Sequence, residues 1–211
     1  MLYKFKTTLV LVIICFIGCT NNSRITGSIT KEEYDIYSIV IDSLYNRDSD
    51  SVFILPDSTE RNYFSENYRG FKNGKWFEMN ELDCLKNKDS IWVKSDCKDL
   101  SNDYKASNEK YFTINISQIK SSVKICQLST DALHKIFNPT NKDGWTEFYK
   151  LFPNAGGILH FSRIGFNTRR DQAVLYHSCG KSGLDGVGFY ILLHKINSVW
   201  RIKVIAESWI S

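Results

Sequence analysis

An α+β fold is predicted from the sequence, with amino-terminal helices packed against one face of a carboxy-terminal antiparallel β-meander of about four strands. Two patterns predict it. Apolar residues recur at helical spacing over residues 31–46, and from residue 158 onward four apolar runs alternate with turn residues. A length of 211 residues and a hydrophobic content of 43% are sufficient for one core and exclude a wholly disordered chain.

The clearest helix is predicted over residues 31–46. Thr30 is a suitable N-cap, and Glu33, three residues further on, completes a capping box. Glu32 adds negative charge at the positive end of the helix dipole. The buried stripe of this helix is predicted to comprise Tyr34, Tyr37, Ile41 and Leu44, widened by Ile36, Val40 and Tyr45.

Between this helix and the meander, the sequence predicts short elements and one long polar section. Pro56 ends a first short strand, whereas residues 57–110 carry only weak patterns, and their carboxylates, Glu60 included, fit solvated loops. Order returns with an alternating run that contains Cys126, predicted to be a buried thiol, and with a helix that Ser129 caps. The predicted elements are strands at 52–55, 91–93 and 123–128, a short helix at 78–85, the capped helix to residue 137, and helical turns at 143–151.

The meander is the strongest structural prediction. Its four runs are rich in β-branched and aromatic residues, and glycine, asparagine and serine occur between them. Gly183, Gly186 and Gly188 lie between the second and third runs and at the start of the third, where they are expected to form a turn and to allow close backbone packing rather than to bind a dinucleotide. The predicted strands are 158–166, 172–178, 187–195 and 199–206.

The first residues have the organisation of an export signal. Lys4 and Lys6 precede an apolar run at 9–18, which as a helix would span about 15 Å, half of a bilayer's hydrocarbon core. The run ends in Gly18-Cys19, which resembles the lipobox of bacterial lipoproteins. The resemblance implies cleavage before Cys19 and acyl chains on its sulfur and amino group, which anchor the chain. We therefore divide the chain into a signal peptide at 1–18, a lipidated cysteine and tether at 19–30, and a single α+β domain at 31–211.

Charge and motif content limit the partners that the sequence predicts. The net charge is only +4, and Lys4 and Lys6 account for half of it, so a nucleic acid partner is not expected. The chain has no CxxC pair, no EF-hand-like acidic loop and no complete phosphate loop, so neither a metal nor a cofactor is expected. The expected partners are a membrane, reached through the lipid on Cys19, and a protein or glycan of the cell envelope.

Four cysteines remain for the folded domain. An exported location permits disulfides, and four cysteines allow three complete pairings. Cys84 and Cys97 are the nearest pair in sequence and lie in polar surroundings. A disulfide between these two residues is therefore the favoured prediction.

Cys179 also has a possible catalytic role. It follows His177 by two residues, which puts both side chains on one face of a strand, and His160 lies on the preceding strand. A thiol nucleophile requires a base within hydrogen-bonding distance. The alternative to a non-enzymatic protein is therefore an envelope hydrolase or transferase that uses Cys179 with His177 or His160, although no protease or hydrolase motif flanks these residues.

Most of the mature chain resembles a group of uncharacterised bacterial lipoproteins and secreted proteins. The resemblance rests on Glu33-Tyr34, Asp143-Gly144-Trp145, Phe152-Pro153, Phe161-Ser162-Arg163-Ile164-Gly165-Phe166, Cys179-Gly180, Gly188-Phe189-Tyr190 and Trp200-Arg201-Ile202. It implies an envelope location and brings no established activity. We therefore expect a lipid-anchored cell-envelope protein, in the outer membrane if the source is Gram-negative, that acts as a non-enzymatic binding or structural module.

Overall fold

The computed structural model describes residues 28–46, 51–60, 70–72, 75–77, 94–137 and 143–211. The described helices are α1 (Lys31–Tyr45), α2 (Lys94–Ser107), α3 (Thr130–Phe137) and α4 (Gly144–Leu151), with a short 3₁₀ turn at Ile116–Gln118. The described strands are β1 (Val52–Pro56), β2 (Gly70–Lys72), β3 (Lys75–Phe77), β4 (Lys124–Leu128), β5 (Ala155–Phe161), β6 (Gly165–Phe166), β7 (Gln172–Ser182), β8 (Asp185–Ile196) and β9 (Val199–Ile210).

Seven of these strands form one mixed sheet. Its order is β4-β1-β5-β7-β8-β9, and β6 pairs with β7 beside the end of β5. Strand β1 runs parallel to both β4 and β5, whereas β5, β7, β8 and β9 pair with antiparallel neighbours. Strands β2 and β3 form a separate antiparallel hairpin.

The α+β class is confirmed, but the predicted arrangement is wrong in two respects. The described sheet has seven strands rather than about four, and the helices are not all amino-terminal, because α3 and α4 lie between β4 and β5. Four of the five residues of β1 are buried. That strand therefore lies inside the sheet, between two parallel neighbours, and extends the predicted meander.

Helices cover both faces of the sheet, contrary to the prediction of one covered face. In β1, Phe53 and Leu55 pack with α1, whereas Ile54 between them packs with α3 and α4. Helix α2 lies on the same side as α3 and α4, where its Leu100 and Tyr104 contact β7 and β8. The side opposite α1 therefore carries two separate apolar clusters, one under α2 and one under α3 and α4.

The start of α1 follows the sequence prediction, whereas α2 was not predicted. Thr30 and Glu33 form the capping box reciprocally. Helix α2 is so polar that only two of its buried side chains, Leu100 and Tyr104, are large and apolar. Two contacts of that kind are too few to produce a recognisable helical stripe in the sequence.

Cys126 is exposed, so the prediction of a buried thiol is wrong. Cys126 lies on β4, which is an edge strand of the described sheet, so the alternating sequence pattern does not lead to a buried side chain there. The predicted elements at 78–85 and 91–93, the predicted signal peptide, Cys19 and Cys84 lie outside what the structure describes, and so does the predicted Cys84–Cys97 disulfide, although the backbone of Cys97 belongs to α2.

Gly183, Gly186 and Gly188 have the predicted role of forming a turn and allowing close backbone packing. They lie at the β7–β8 hairpin, and a Cβ on Gly188 would come within 2.2 Å of the Trp209 indole nitrogen. Trp209 thus lies directly over the β8 backbone, and its indole nitrogen donates to the Tyr176 hydroxyl at 2.7 Å. Over the described residues, no helix has the length and apolar content needed to span a bilayer.

Candidate functional site

Strand β7 places His177 and Cys179 on the α1 side of the sheet, as their spacing predicted. His177 is fully buried, and both of its ring nitrogens are engaged. Nδ1 lies 2.9 Å from the carbonyl oxygen of His160, and Nε2 lies 2.6 Å from the Tyr45 hydroxyl. The imidazole also stacks on Phe161, with 4.4 Å between ring centroids.

These contacts define the protonation state of His177. Because a carbonyl oxygen only accepts hydrogen bonds, Nδ1 carries the proton and Nε2 accepts from the Tyr45 hydroxyl. Burial lowers the pKa of His177 to about 3, so the ring is neutral at physiological pH. The lone pair that would act as a base is already used by Tyr45. His177 is thus held as a buried structural residue and is not positioned to deprotonate Cys179.

His160 and Cys179 lie on opposite faces of the sheet. In the β5–β7 register, Cys179 is opposite Leu159 and His160 is opposite Ser178, and alternate residues of a strand face opposite sides. Cys179 is buried on the α1 side at 2% exposure. The structure therefore brings His177 and Cys179 to one face and separates His160 from both.

A second group of polar residues occupies the other side of the sheet. We call this group the Glu60 cluster; it consists of Glu60, Tyr104, His160, Tyr176 and Ser178. Along β7, Tyr176 belongs to the apolar cluster under α2, and Gly180 faces Trp145 of α4. Ser178 and its cross-strand neighbour His160 therefore lie at the boundary between the two apolar clusters on this side.

Glu60 is positioned by the chain that follows β1. Its backbone N–H donates to the Phe161 carbonyl at 2.7 Å, so this segment continues alongside the end of β5. The Ser178 hydroxyl is close enough to the Glu60 carboxyl to favour its charged form, yet Oε2 of that carboxyl is buried and has no hydrogen-bond partner. A buried carboxyl oxygen without a partner is uncommon and requires an explanation.

The electrostatics of the Glu60 cluster are dominated by burial. Burial raises the pKa of Glu60 to about 7, and the hydrogen bond from Ser178 opposes part of this shift. Burial lowers the pKa of His160 to about 4, so its ring is uncharged at neutral pH. The pKa of Tyr104 is raised, mainly by burial and also by the nearby Glu60 and Tyr176. The cluster is thus a set of neutral polar groups around one carboxyl that titrates near neutrality.

Sequence reasoning missed Glu60 and Tyr104. Glu60 follows four polar or turn-forming residues, a context that predicts a solvated loop, whereas its Oε2 atom is buried. No local signal marks its burial, because the strand end that covers it is a hundred residues away in the sequence. The sequence singles out His160 as a candidate base for Cys179, but the strand register puts the two residues on opposite faces of the sheet.

No group of three or more histidine, cysteine, aspartate or glutamate side chains that could hold a metal ion occurs within the described ranges. The chain matches no protein-family model, no curated protein and no solved structure.

Proposed function

We propose that this protein is a lipid-anchored protein of the cell envelope whose α+β domain is a non-enzymatic binding module, related to the lipoproteins that it resembles. The observation that carries the proposal is the leader, a basic start and a short apolar run that end in Gly18-Cys19. Acyl chains on one cysteine suffice for stable anchoring, because each buried CH₂ contributes about 0.8 kcal/mol.

The distance between the anchor and the domain is limited by the chain. The carbonyl oxygen of Ser28 accepts a hydrogen bond from the Arg163 guanidinium at 3.5 Å, so the folded part begins at or before that residue. Nine residues further towards the amino terminus is Cys19, and even a fully extended chain of that length reaches only about 30 Å. The proposed anchor would hold the domain close to the membrane surface.

Binding rather than catalysis is supported by the hydrogen bonds of His177. The Tyr45 hydroxyl occupies the lone pair that a Cys179 nucleophile would require, and His160 lies on the other face. In contrast, the Glu60 cluster presents an unpartnered acceptor and several neutral polar groups, which is the composition of a site that recognises a polar ligand.

The anchoring proposal is tested by metabolic labelling with palmitate. We expect label in the wild-type chain and none in Cys19→Ser, with Cys19→Ser lost from the membrane fraction. Cys15→Ser is the matched control, because Cys15 lies in the apolar run of the leader, and it should be labelled like the wild type. Label that persists in Cys19→Ser would refute the assignment.

A further inference from the structure

The unpartnered oxygen of Glu60 indicates a missing hydrogen-bond donor. Glu60 Oε2 is buried without a hydrogen-bond partner, although the Ser178 hydroxyl is close enough to the carboxyl to favour its charged form. Leaving a buried acceptor unpaired destabilises the fold, and more so when the group is charged. A fold that retains such a group gains if a ligand supplies the donor.

The neighbours of Glu60 restrict the charge of that ligand. Ser178 on β7 and Tyr104 on α2 lie near Glu60, His160 on β5 lies opposite Ser178, and Tyr176 lies near Tyr104. The His160 ring and the Tyr104 hydroxyl are uncharged at physiological pH, and within the described residues no ion pair involves Glu60. An anionic ligand would repel the carboxylate, whereas a cationic donor would satisfy both its charge and its free oxygen.

The polar atoms of the cluster match one donor type. The His160 ring is uncharged at neutral pH, and a neutral imidazole has one nitrogen that accepts hydrogen bonds. Ser178 contributes a hydroxyl oxygen on the same face, opposite His160 in the strand register. An ammonium group has three donors and no acceptor, so a carboxylate, an imidazole nitrogen and a hydroxyl are suitable partners for it.

We infer that the Glu60 cluster binds the ammonium group of an amine ligand through Glu60 Oε2, the His160 ring and Ser178 Oγ. The inference deepens the proposed function, on which it rests, by naming the chemical class that the binding module recognises. The Tyr176 ring, two residues before Ser178 on the same strand face, adds an aromatic surface on which a cation is favourable.

Binding is coupled to the ionisation of Glu60, because only the carboxylate attracts the ammonium. With a pKa of about 7, roughly a tenth of the carboxyl is ionised at pH 6 and roughly nine-tenths at pH 8. The affinity for an amine should therefore increase about tenfold between these two pH values and level off above pH 8. A bound amine in turn lowers the pKa of Glu60, so binding near pH 7 releases a proton.

The test is calorimetric titration of the full chain in a nonionic detergent at pH 6 and pH 8. Two amine probes separate the sources of the ammonium group: cadaverine represents a free diamine, and Nα-acetyl-lysine methylamide represents the lysine side chain of a partner. The uncharged control ligand is 1-pentanol. The variants are Glu60→Gln and the matched control Glu109→Gln, whose carboxyl is exposed after α2.

We expect at least one amine probe to bind, with tenfold weaker binding at pH 6, a tenfold or larger loss in Glu60→Gln, and no change in Glu109→Gln. Binding of the lysine derivative indicates a protein partner, and binding of cadaverine alone indicates a small amine. The inference is overturned if neither probe binds, if 1-pentanol binds equally well, or if Glu60→Gln binds like the wild type.

Carboxyl NMR of the wild-type protein gives an independent readout that does not depend on a variant. The Glu60 resonance should titrate near pH 7 without ligand and at a lower pH with amine present, and an unchanged titration would contradict the inference. Neither measurement depends on lipid attachment, so Cys19→Ser should bind the amine normally. Failure of the anchoring proposal and failure of the ammonium site are therefore distinguishable.

Discussion

The ion pair between Glu33 and Arg163 provides the sharpest test of how this fold is held together. The Glu33 side chain is 2% exposed and the Arg163 side chain 8% exposed. They form a bidentate ion pair, in which Arg163 Nε lies 2.6 Å from Glu33 Oε1 and Arg163 Nη2 lies 2.9 Å from Glu33 Oε2. The guanidinium also lies 4.1 Å above the Phe112 ring. The pair thus links the first turn of α1 to the segment between β5 and β6.

Replacement of Glu33 by Gln removes the negative charge and leaves the rest of the site nearly unchanged. Glutamine keeps an acceptor for the capping box with Thr30, so the loss reports mainly on the uncompensated Arg163 charge. Removing one partner of a buried pair costs about 3–5 kcal/mol, a large part of the 5–15 kcal/mol that typically stabilises a domain. We expect a loss in that range for Glu33→Gln.

The double variant Glu33→Gln, Arg163→Met separates the charge from the packing. Methionine keeps apolar contact with Phe112 and introduces no charge. The loss in free energy of unfolding of the double variant should therefore be at least about 2 kcal/mol smaller than the sum of the losses of the two single variants. Urea unfolding of the full chain in nonionic detergent, followed by circular dichroism at pH 7, measures all the free energies.

The exposed pair of Lys31 and Asp35 is the matched control. It has a similar N–O distance of 2.7 Å on the same helix, but the side chains are 78% and 43% exposed. Asp35→Asn should therefore change the free energy of unfolding by no more than about 0.5 kcal/mol. A loss below 1 kcal/mol for Glu33→Gln, or simple additivity in the double variant, would refute the reasoning.

Three further predictions follow from the same structure. Because the pKa of Glu60 is raised in the folded state, the protonated carboxyl contributes fully to stability below pH 4.5. As the pH rises to about 7, the free energy of unfolding should fall by up to about 3 kcal/mol. Unfolding measured from about pH 4 to 8 should show this fall in the wild type and not in Glu60→Gln. Gly188→Ala should destabilise the fold by about 1–3 kcal/mol in thermal unfolding, because the new methyl group meets the overlying indole, whereas Gly183→Ala, with open space around it, should not. Tyr45→Phe removes the donor to His177 Nε2 and should cost about 1–3 kcal/mol in urea unfolding; a change below 0.5 kcal/mol would show that this hydrogen bond contributes little.

Local patterns predicted the elements that depend on neighbouring residues. The capping box of Thr30 and Glu33 spans three residues, and Ser129 accepts from the Ala132 N–H within one helical turn, so both could be recognised from the chain alone. The four predicted meander strands are likewise confirmed as β5 with β6, β7, β8 and β9, since each contains its own alternation and each hairpin its own turn residues.

The candidate site was less predictable, because it depends on contacts between distant residues. His160 and His177 were both singled out, but alternation alone could not show that the Tyr45 hydroxyl, 132 residues earlier in the chain, occupies the second imidazole nitrogen. The polar segment around Glu60 has the composition of a loop, and its burial follows from pairing with β5.

The sequence by itself determined the start of α1 and the antiparallel strands, because each of these signals is contained within a short stretch of chain. Tertiary structure alone decided that β1 lies between two parallel neighbours, that helices cover both faces, and that Glu60 is buried next to Ser178. The physical reason is that strand order and burial are set by the total packing of the sheet, which optimises contacts between residues far apart in the chain and leaves no trace in any one segment.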